Sequence, residues 1–412
     1  MAIGPEPKQG LNILYVGTLP PHPGGSAISC FQLLAGFAGL GHSVRALAPI
    51  TPEALRSGDL FAASYPNIHV TRFLVPYFDN ALPIPSAAEY REVERVQIQE
   101  KLPLLISSNR PDVVLIGRES FAWEVPGIAM AHSIPSIMLI RGGSRTARLL
   151  NGRYPDDLAH RLLVEYRKVN LIVAVAKHLT EGLQRLGFER VKTIPNAVNL
   201  RQFSPKPKNV ALLRKLAIKD DDVVVMHVAN LQMRKRSLNL VSSSVSALQQ
   251  DRRLVYVIVG DGPLRETMEN TCREKQISEK FRFVGWIEYD RMPDYINLAD
   301  IVVMPSEAEG MARVYLETQA CARVLLASDI PAAREVIVDG ETGLLFSKGD
   351  IDDLTAKTLL AASDPKFRGD IGRKAREQVK GHSLIDAVTT FATTMEDAIR
   401  QHRESLSDRA VL

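Results

Sequence analysis

Only three cysteines occur in 412 residues, Cys30, Cys272 and Cys321, and they lie far apart. Without a Cys-x-x-Cys pair, a disulfide scaffold or a zinc site of the usual spacing is excluded, and the usage fits a reducing cytoplasm. Charge of one sign is equally scarce. The 51 Lys and Arg against 47 Asp and Glu leave a net +4, which by itself calls for no nucleic-acid partner. No uninterrupted apolar run approaches the roughly 20 residues of a membrane helix, so a soluble protein is expected. The opening MAIGPEPKQG lacks a basic region followed by an apolar core, and no signal peptide is read there. Short repeats and low-complexity tracts are also missing.

What is present is an alternation. Short apolar runs alternate with longer segments of helical period, the pattern of parallel sheets covered by helices. Strands are expected at 12–16, 43–48, 68–73, 113–116, 136–140, 171–175 and 191–194 in the first half. In the second half they are expected at 223–228, 255–259, 281–284, 301–304, 324–327 and 344–346. Several of these runs are β-branched and continuous, as strands buried on both faces should be. A chain of this length is too long for one ordinary core. The expected division is a Rossmann-like domain over 1–200, a second over 201–383, and a final helical segment, 384–412, packing back toward the first. The stretch 199–209, with Pro205, Pro207 and two lysines, reads as a linker.

The densest chemistry is EGMARVYLE, residues 309–317, directly after the run IVVMPS. Strand, short loop and helix start place Gly310, Met311, Ala312 and Arg313 near a helix N-terminus, where free N–H groups and the dipole favour an anion. Glu309 precedes this turn and Glu317 follows. Eight residues of helix rise about 12 Å, comparable to the span from sugar to ribose in a nucleoside diphosphate sugar. By spacing alone, two unrelated surface glutamates remain the simpler reading.

The context changes that. Downstream runs LETQACARVLLASDIPAAREVIVDGETGLLF, residues 316–346. Here the chain resembles glycosyltransferase family four, the large retaining family with the GT-B fold. Its pattern is a glutamate, seven residues and a second glutamate, then a small-residue helix, an Ala-Ser strand end and a glutamate-glycine-glycine stretch. The matching residues are Glu309, Glu317, Ala327, Ser328, Glu335, Gly340 and Gly343. A second element is HVANLQMRKRSLNL, residues 227–240. There Lys235 holds the family's diphosphate-gripping lysine, Asn230 stands at the usual arginine and Arg236 at the usual glycine. This variant is similar to the bacillithiol-pathway malate N-acetylglucosaminyltransferases, and Arg234 or Arg236 is the candidate for the missing charge. The resemblance further implies that the turn with Gly260 and Gly262 lies by the nucleotide, with Val284 and Trp286 at the base. A lone Gly-x-Gly without the third glycine is no dinucleotide fingerprint, and a plain strand and turn reads equally well there.

In the first half, Gly24, Gly25 and Ser26 match the family's Gly-Gly loop, where backbone approaches a phosphate or acceptor. After the run IMLI the family often has a histidine; this chain has Arg141, which cannot act as a base at neutral pH. Arg118, Arg145, Arg148 and Arg153 accompany it. From Arg141 to Lys192 there are eleven Lys and Arg against five Asp and Glu. Either this is a solvated helix face, or Arg141 and its neighbours receive an anionic acceptor or an acidic donor sugar. Asn196, in Pro-Asn-x-Val-x-x-x-x-Phe, marks the crossing between domains.

The resemblance thus implies a GT-B hexosyltransferase, two Rossmann-like parallel-sheet domains facing across a cleft. It would use a UDP- or GDP-sugar as donor, need no prosthetic group or metal, and act with retention on a small acceptor. Catalytic roles fall to Glu309, Lys235 and Arg141, and the ribose to Glu317. No Asp-x-Asp motif of the metal-carrying type is read. Four alternatives are weighed: a glycosidase using the two glutamates, against which a spacing of about 12 Å argues because it exceeds both carboxylate separations of such enzymes, a sugar-nucleotide epimerase, a non-catalytic binder of sugar nucleotides, and a membrane-surface enzyme for lipid-linked acceptors. The last rests on the basic stretch RLLVEYRKV, 161–169, and a weak peripheral membrane contact. Donor nucleotide, sugar, acceptor atom and oligomeric state have no residue that decides them.

Overall fold

A computed structural model describes residues 10–22, 24–56, 67–76, 84–142 and 144–411, except for the side chains of 84–90, 144 and 409–411. Residues 1–9, where no signal peptide was read, lie outside the described residues, as do Pro23 and Gly143 of the two glycine motifs. The chain divides into two compact units, Met1–Pro195 with Ile385–Leu412, and Asn196–Leu384.

The first unit holds seven parallel strands: β1 (Asn12–Val16), β2 (Ser43–Ile50), β3 (Ile68–Leu74), β4 (Val113–Ile116), β5 (Ser136–Ile140), β6 (Leu171–Ala174) and β7 (Val191–Thr193). Their order is β3-β2-β1-β4-β5-β6-β7. The second holds six: β8 (Val223–Val228), β9 (Leu254–Val259), β10 (Phe281–Gly285), β11 (Ile301–Met304), β12 (Val324–Ser328) and β13 (Leu344–Phe346), ordered β10-β9-β8-β11-β12-β13. All thirteen expected strands form, with ends displaced by two residues at most. Strands such as Val113–Ile116, Val223–Val228 and Leu254–Val259 are buried at every residue. Covered on both faces, they need no polar alternation, which is why they read as unbroken apolar runs.

In each sheet the winding direction reverses once, between β1 and β4 and between β8 and β11. At such a reversal the loops leaving the two central strands diverge and open a crevice at their carboxyl ends. The helix Leu384–Val411 belongs to the first unit from Ile385 onward. Phe391 packs on Phe37 with ring centroids 5.5 Å apart, and Arg403 pairs with Asp112 at 2.9 Å. Residues 199–209 are no loose tether. Asn297 accepts from the Lys206 N–H at 2.9 Å and donates to the Ser204 carbonyl at 3.0 Å. Arg376 donates to the carbonyls of Phe203 and Leu200, which binds the stretch to the second unit.

Candidate functional site

In the second unit the reversal point is occupied. The loop after β8 carries Arg234, Lys235 and Arg236, and the loop after β11 carries Glu307 and Glu309. Lys235 Nζ donates to Glu309 Oε1 at 2.6 Å, and Arg234 donates to Glu309 Oε2 at 3.1 Å and to the Ala308 carbonyl at 2.7 Å. The Glu309 side chain is 7% exposed. Burial, the largest influence, pushes its carboxyl up, but Lys235 and Arg234 overcome it and hold the pKa at about 2. Burial in turn pulls the Lys235 ammonium below its usual range, against the pull of Glu309. An anion replacing Glu309 as the partner of these cations would meet two positive groups in a site of low dielectric. Arg236 is placed differently: it pairs with Glu307 at 2.7 Å on the exposed rim.

Glu317 forms a second pair. It lies one turn into the helix Arg313–Ala320, and its Oε1 accepts from Tyr289 Oη at 2.8 Å and from Arg313 at 2.9 Å. Arg313 also bonds Tyr289 Oη and stacks over its ring, 4.7 Å from the centroid. Ala312 precedes this helix without a side-chain cap, so the first N–H groups stay available to an anion. Asn196 donates to the Met311 carbonyl at 2.7 Å, fixing the approach to the helix.

One expectation is corrected here. Residues 305–312 are not helical, so Glu309 is off the helix, and Glu317 stands only about 6 Å along the axis from its first residue. The two carboxylates are therefore not spaced by eight residues of helix, and the 12 Å argument against a glycosidase lapses. What the charge excludes is Glu309 as the proton donor of such a pair, since a carboxyl held at about 2 gives up no proton near neutrality.

The glycine turn after β9 is tight. Gly260 has φ +116° and Gly262 φ +150°, and a Cβ would lie 1.9 Å from the Ala229 carbonyl or 2.7 Å from Asn230 Oδ1. These glycines let the β9 loop lie directly on the loop that begins with Asn230, whose side chain packs under the turn. Val284, the last residue but one of β10, is partly buried, and Trp286, just beyond the strand, is 55% exposed.

In the first unit, Gly24 (φ +111°) precedes the helix Gly25–Gly39, which has no side-chain cap and places Gly25 and Ser26 in its first turn. Arg118 follows β4 and Arg141 follows β5, so all three elements leave the carboxyl ends of adjacent strands. Arg118 pairs with the buried Glu94, which accounts for part of its charge. Arg145 is pushed down by burial and then by Arg91. Sequence reasoning missed Glu124, whose carboxyl burial raises to about 7 against the pull of Arg145 and Arg95. It also missed His227, wholly buried in β8. Glu124 sits in no motif, and His227 opens the stretch 227–240 without holding one of its matched positions; only burial distinguishes them. In the stretch 161–169, Leu162, Tyr166 and Val169 are buried in the protein core, while Val164 is exposed.

Among the described residues no group of three His, Cys, Asp or Glu is placed to hold a metal, and no helix is long and apolar enough to cross a membrane. Of the two literal Asp-x-Asp triplets, 350–352 is a helix cap, with Asp350 accepting from the N–H groups of Asp352 and Asp353, and 220–222 lies in the turn before β8, where Asp222 accepts from the Lys219 N–H at 2.8 Å.

Two α/β units, each with its loops gathered at a sheet reversal, define a glycosyltransferase of the GT-B fold. Two family models match, Glycosyltransferase Family 4 over residues 23–202 and Glycosyl transferases group 1 over residues 211–378, and the chain belongs to this family. It is 26% identical over 287 residues to the D-inositol 3-phosphate glycosyltransferase of Kribbella flavida, 66% of this chain and 65% of that one, just under two thirds of the relative's length. It is 23% identical over 401 residues to the alpha-monoglucosyldiacylglycerol synthase of Acholeplasma laidlawii, covering 93% and 96% of the two chains. With the N-acetyl-alpha-D-glucosaminyl L-malate synthase of Bacillus anthracis it shares 23% over 215 residues, 52% and 55% of the two. HepE of Anabaena, solved with UDP and glucose, has the same fold, with a TM-score of 0.75 at 16% identity over 94% of this chain and 100% of that one.

Proposed function

We propose that the chain transfers a hexose-type sugar from a nucleoside diphosphate sugar to a small, anionic acceptor, with retention of anomeric configuration. The observation that carries this reading is the Lys235–Glu309–Arg234 cluster at the β8/β11 reversal, beside an uncapped helix start. On donor binding the diphosphate takes the place of Glu309 against Lys235 and Arg234, with the N–H groups ahead of Val314 completing its shell. These groups stabilise charge that grows on the β-phosphate as the glycosidic bond breaks. Glu309, ionised throughout the physiological range, then turns to the sugar hydroxyls and to positive charge developing at the anomeric carbon. Glu317, oriented by Arg313 and Tyr289, accepts from the ribose hydroxyls, and Trp286 borders the base. Basic side chains and amides neutralise the diphosphate, so activity is expected to survive chelating agents.

On the acceptor side, Arg141 and the helix start at Gly24 to Ser26 are the groups proposed to receive a carboxylate or phosphate. The names of the relatives, which include an inositol 3-phosphate and an L-malate transferase, agree with that chemistry. A lipid-linked acceptor is the second reading, favoured by the full-length match to a diacylglycerol glycosylating enzyme.

The deciding experiment is a thermal-shift comparison of UDP, GDP, dTDP and ADP on wild type and Glu317→Ala. A ligand at 100 times its dissociation constant stabilises by about 2.7 kcal/mol. One nucleotide should raise the melting temperature of wild type and lose that effect in the variant. No shift with any of the four would overturn the donor assignment. The anomeric proton coupling of the product then tests retention.

A further inference from the structure

The two loops that meet at Glu309 and Lys235 are tied together beneath the site by one buried side chain. His227 lies in β8 at 0% exposure, and it is aimed at both loops. Its Nδ1 is 2.8 Å from the carbonyl of Val303, in β11, just ahead of the loop that carries Glu309. Its Nε2 is 2.9 Å from Oγ of Ser237, the first residue of the helix Ser237–Gln250, two residues after Lys235. A carbonyl only accepts, so Nδ1 carries the proton. Burial holds the imidazole pKa down at about 4, so the ring is neutral. Nε2 is then bare, and the Ser237 hydroxyl donates to it.

The surroundings give this bridge work to do. The β8–β11 ladder pairs Val225 with Ile301 and Met226 with Val302, and the ring continues the connection at Val303. Between Lys235 and Ser237 the backbone turns through Arg236, a non-glycine residue at φ +51° and ψ +34°. A side chain disfavours that left-handed conformation, which persists only where its surroundings impose it. Ser237 is 0% exposed and its helix has no side-chain cap, so the bond to His227 anchors the far side of the turn.

We infer that His227 and Ser237 are positioning residues, a buried Val303–His227–Ser237 bridge that sets the Lys235 ammonium against Glu309 and so preorganises the donor's diphosphate site. The inference rests on the proposed donor site for its consequence, but the bridge itself is testable without any ligand.

The first readout is acylation of lysines by a small anhydride, followed by mass spectrometry on the full chain. In Ser237→Ala, Lys235 should react about two- to tenfold faster than in wild type, the range expected from losing one hydrogen bond. Other lysines of the second unit should keep their rates, and Ser237→Thr, which retains a hydroxyl, should label like wild type. Lys235 labelling unchanged in Ser237→Ala, or all lysines of the unit accelerated alike, would overturn the inference. The second readout is the affinity for UDP and GDP. Ser237→Ala should weaken the preferred nucleotide by about two- to tenfold, and should add nothing further in a Lys235→Ala background. Equal weakening in both backgrounds would show a general structural effect and refute the coupling. If wild type binds neither nucleotide, the donor-site proposal fails, and the acylation result still decides the bridge.

Discussion

Replacing Lys235 by methionine isolates the electrostatics of the site. The substitution keeps most of the volume and removes the ammonium 2.6 Å from Glu309. In wild type the Glu309 carboxyl is held at about 2 against an ordinary value of 4.5. At about 1.4 kcal/mol per pKa unit, that depression contributes on the order of 3 kcal/mol near neutrality. The sign follows from the depression: the contribution is complete above the unfolded pKa and is lost as pH falls toward about 2. Without Lys235 the largest influence opposing burial is gone, and the carboxyl moves up. A raised carboxyl destabilises the fold at high pH and ceases to do so once it is protonated in both states. The variant should lie about 3 kcal/mol below wild type at pH 7, the low end for breaking a buried pair, because Arg234 remains and because removing the ammonium relieves its own cost of burial. For a unit of this size that is about 6–12 °C in melting temperature. The gap should narrow steadily as pH falls to about 4. Scanning calorimetry between pH 4 and 8, following the transition of the second unit, measures it. A gap that stays constant across that range, or no gap at pH 7, would refute the account of Glu309 as a carboxylate held ionised by Lys235.

Other outcomes are expected. Glu317→Gln should weaken the preferred nucleoside diphosphate by about 10- to 100-fold, the loss of a charged hydrogen-bond acceptor, measurable by calorimetric titration. Arg236→Gly should stabilise the second unit by about 1 kcal/mol, because relief at φ +51° exceeds the value of its exposed pair with Glu307; a lower melting temperature would contradict this. Gly260→Ala, whose Cβ would lie 1.9 Å from a carbonyl oxygen, should displace the β9 turn and lower both melting temperature and nucleotide affinity. Arg141→Ala should raise the KM for anionic acceptors about tenfold or more while leaving nucleotide affinity intact, and equal kinetics would remove Arg141 from the acceptor site.

The amino-acid sequence by itself determined the thirteen strands and their grouping. Parallel strands buried on both faces, such as VVVMHV and LVYVIV, must be continuously apolar, and the helices between them must repeat at a helical period. Spacing alone left Glu309 and Glu317 as two surface glutamates, and it was resemblance to family motifs that marked them and Lys235. Local spacing misled where it assumed regular structure: Glu309 was placed by helix geometry, yet the chain is irregular through residues 305–312. Long-range partnership belonged to the tertiary structure. Lys235 and Glu309 are 74 positions apart and meet because β8 and β11 are neighbours at the reversal of the sheet. Arg313 supports Glu317 as a local i,i+4 pair on one helix, but Tyr289 joins them only in the fold, as Arg236 meets Glu307 on the rim. His227 shows the limit most plainly. In the sequence it is one histidine in an apolar run; its neutral charge state and its two bonds exist only because folding removes water and brings Val303 and Ser237 to either side of the ring.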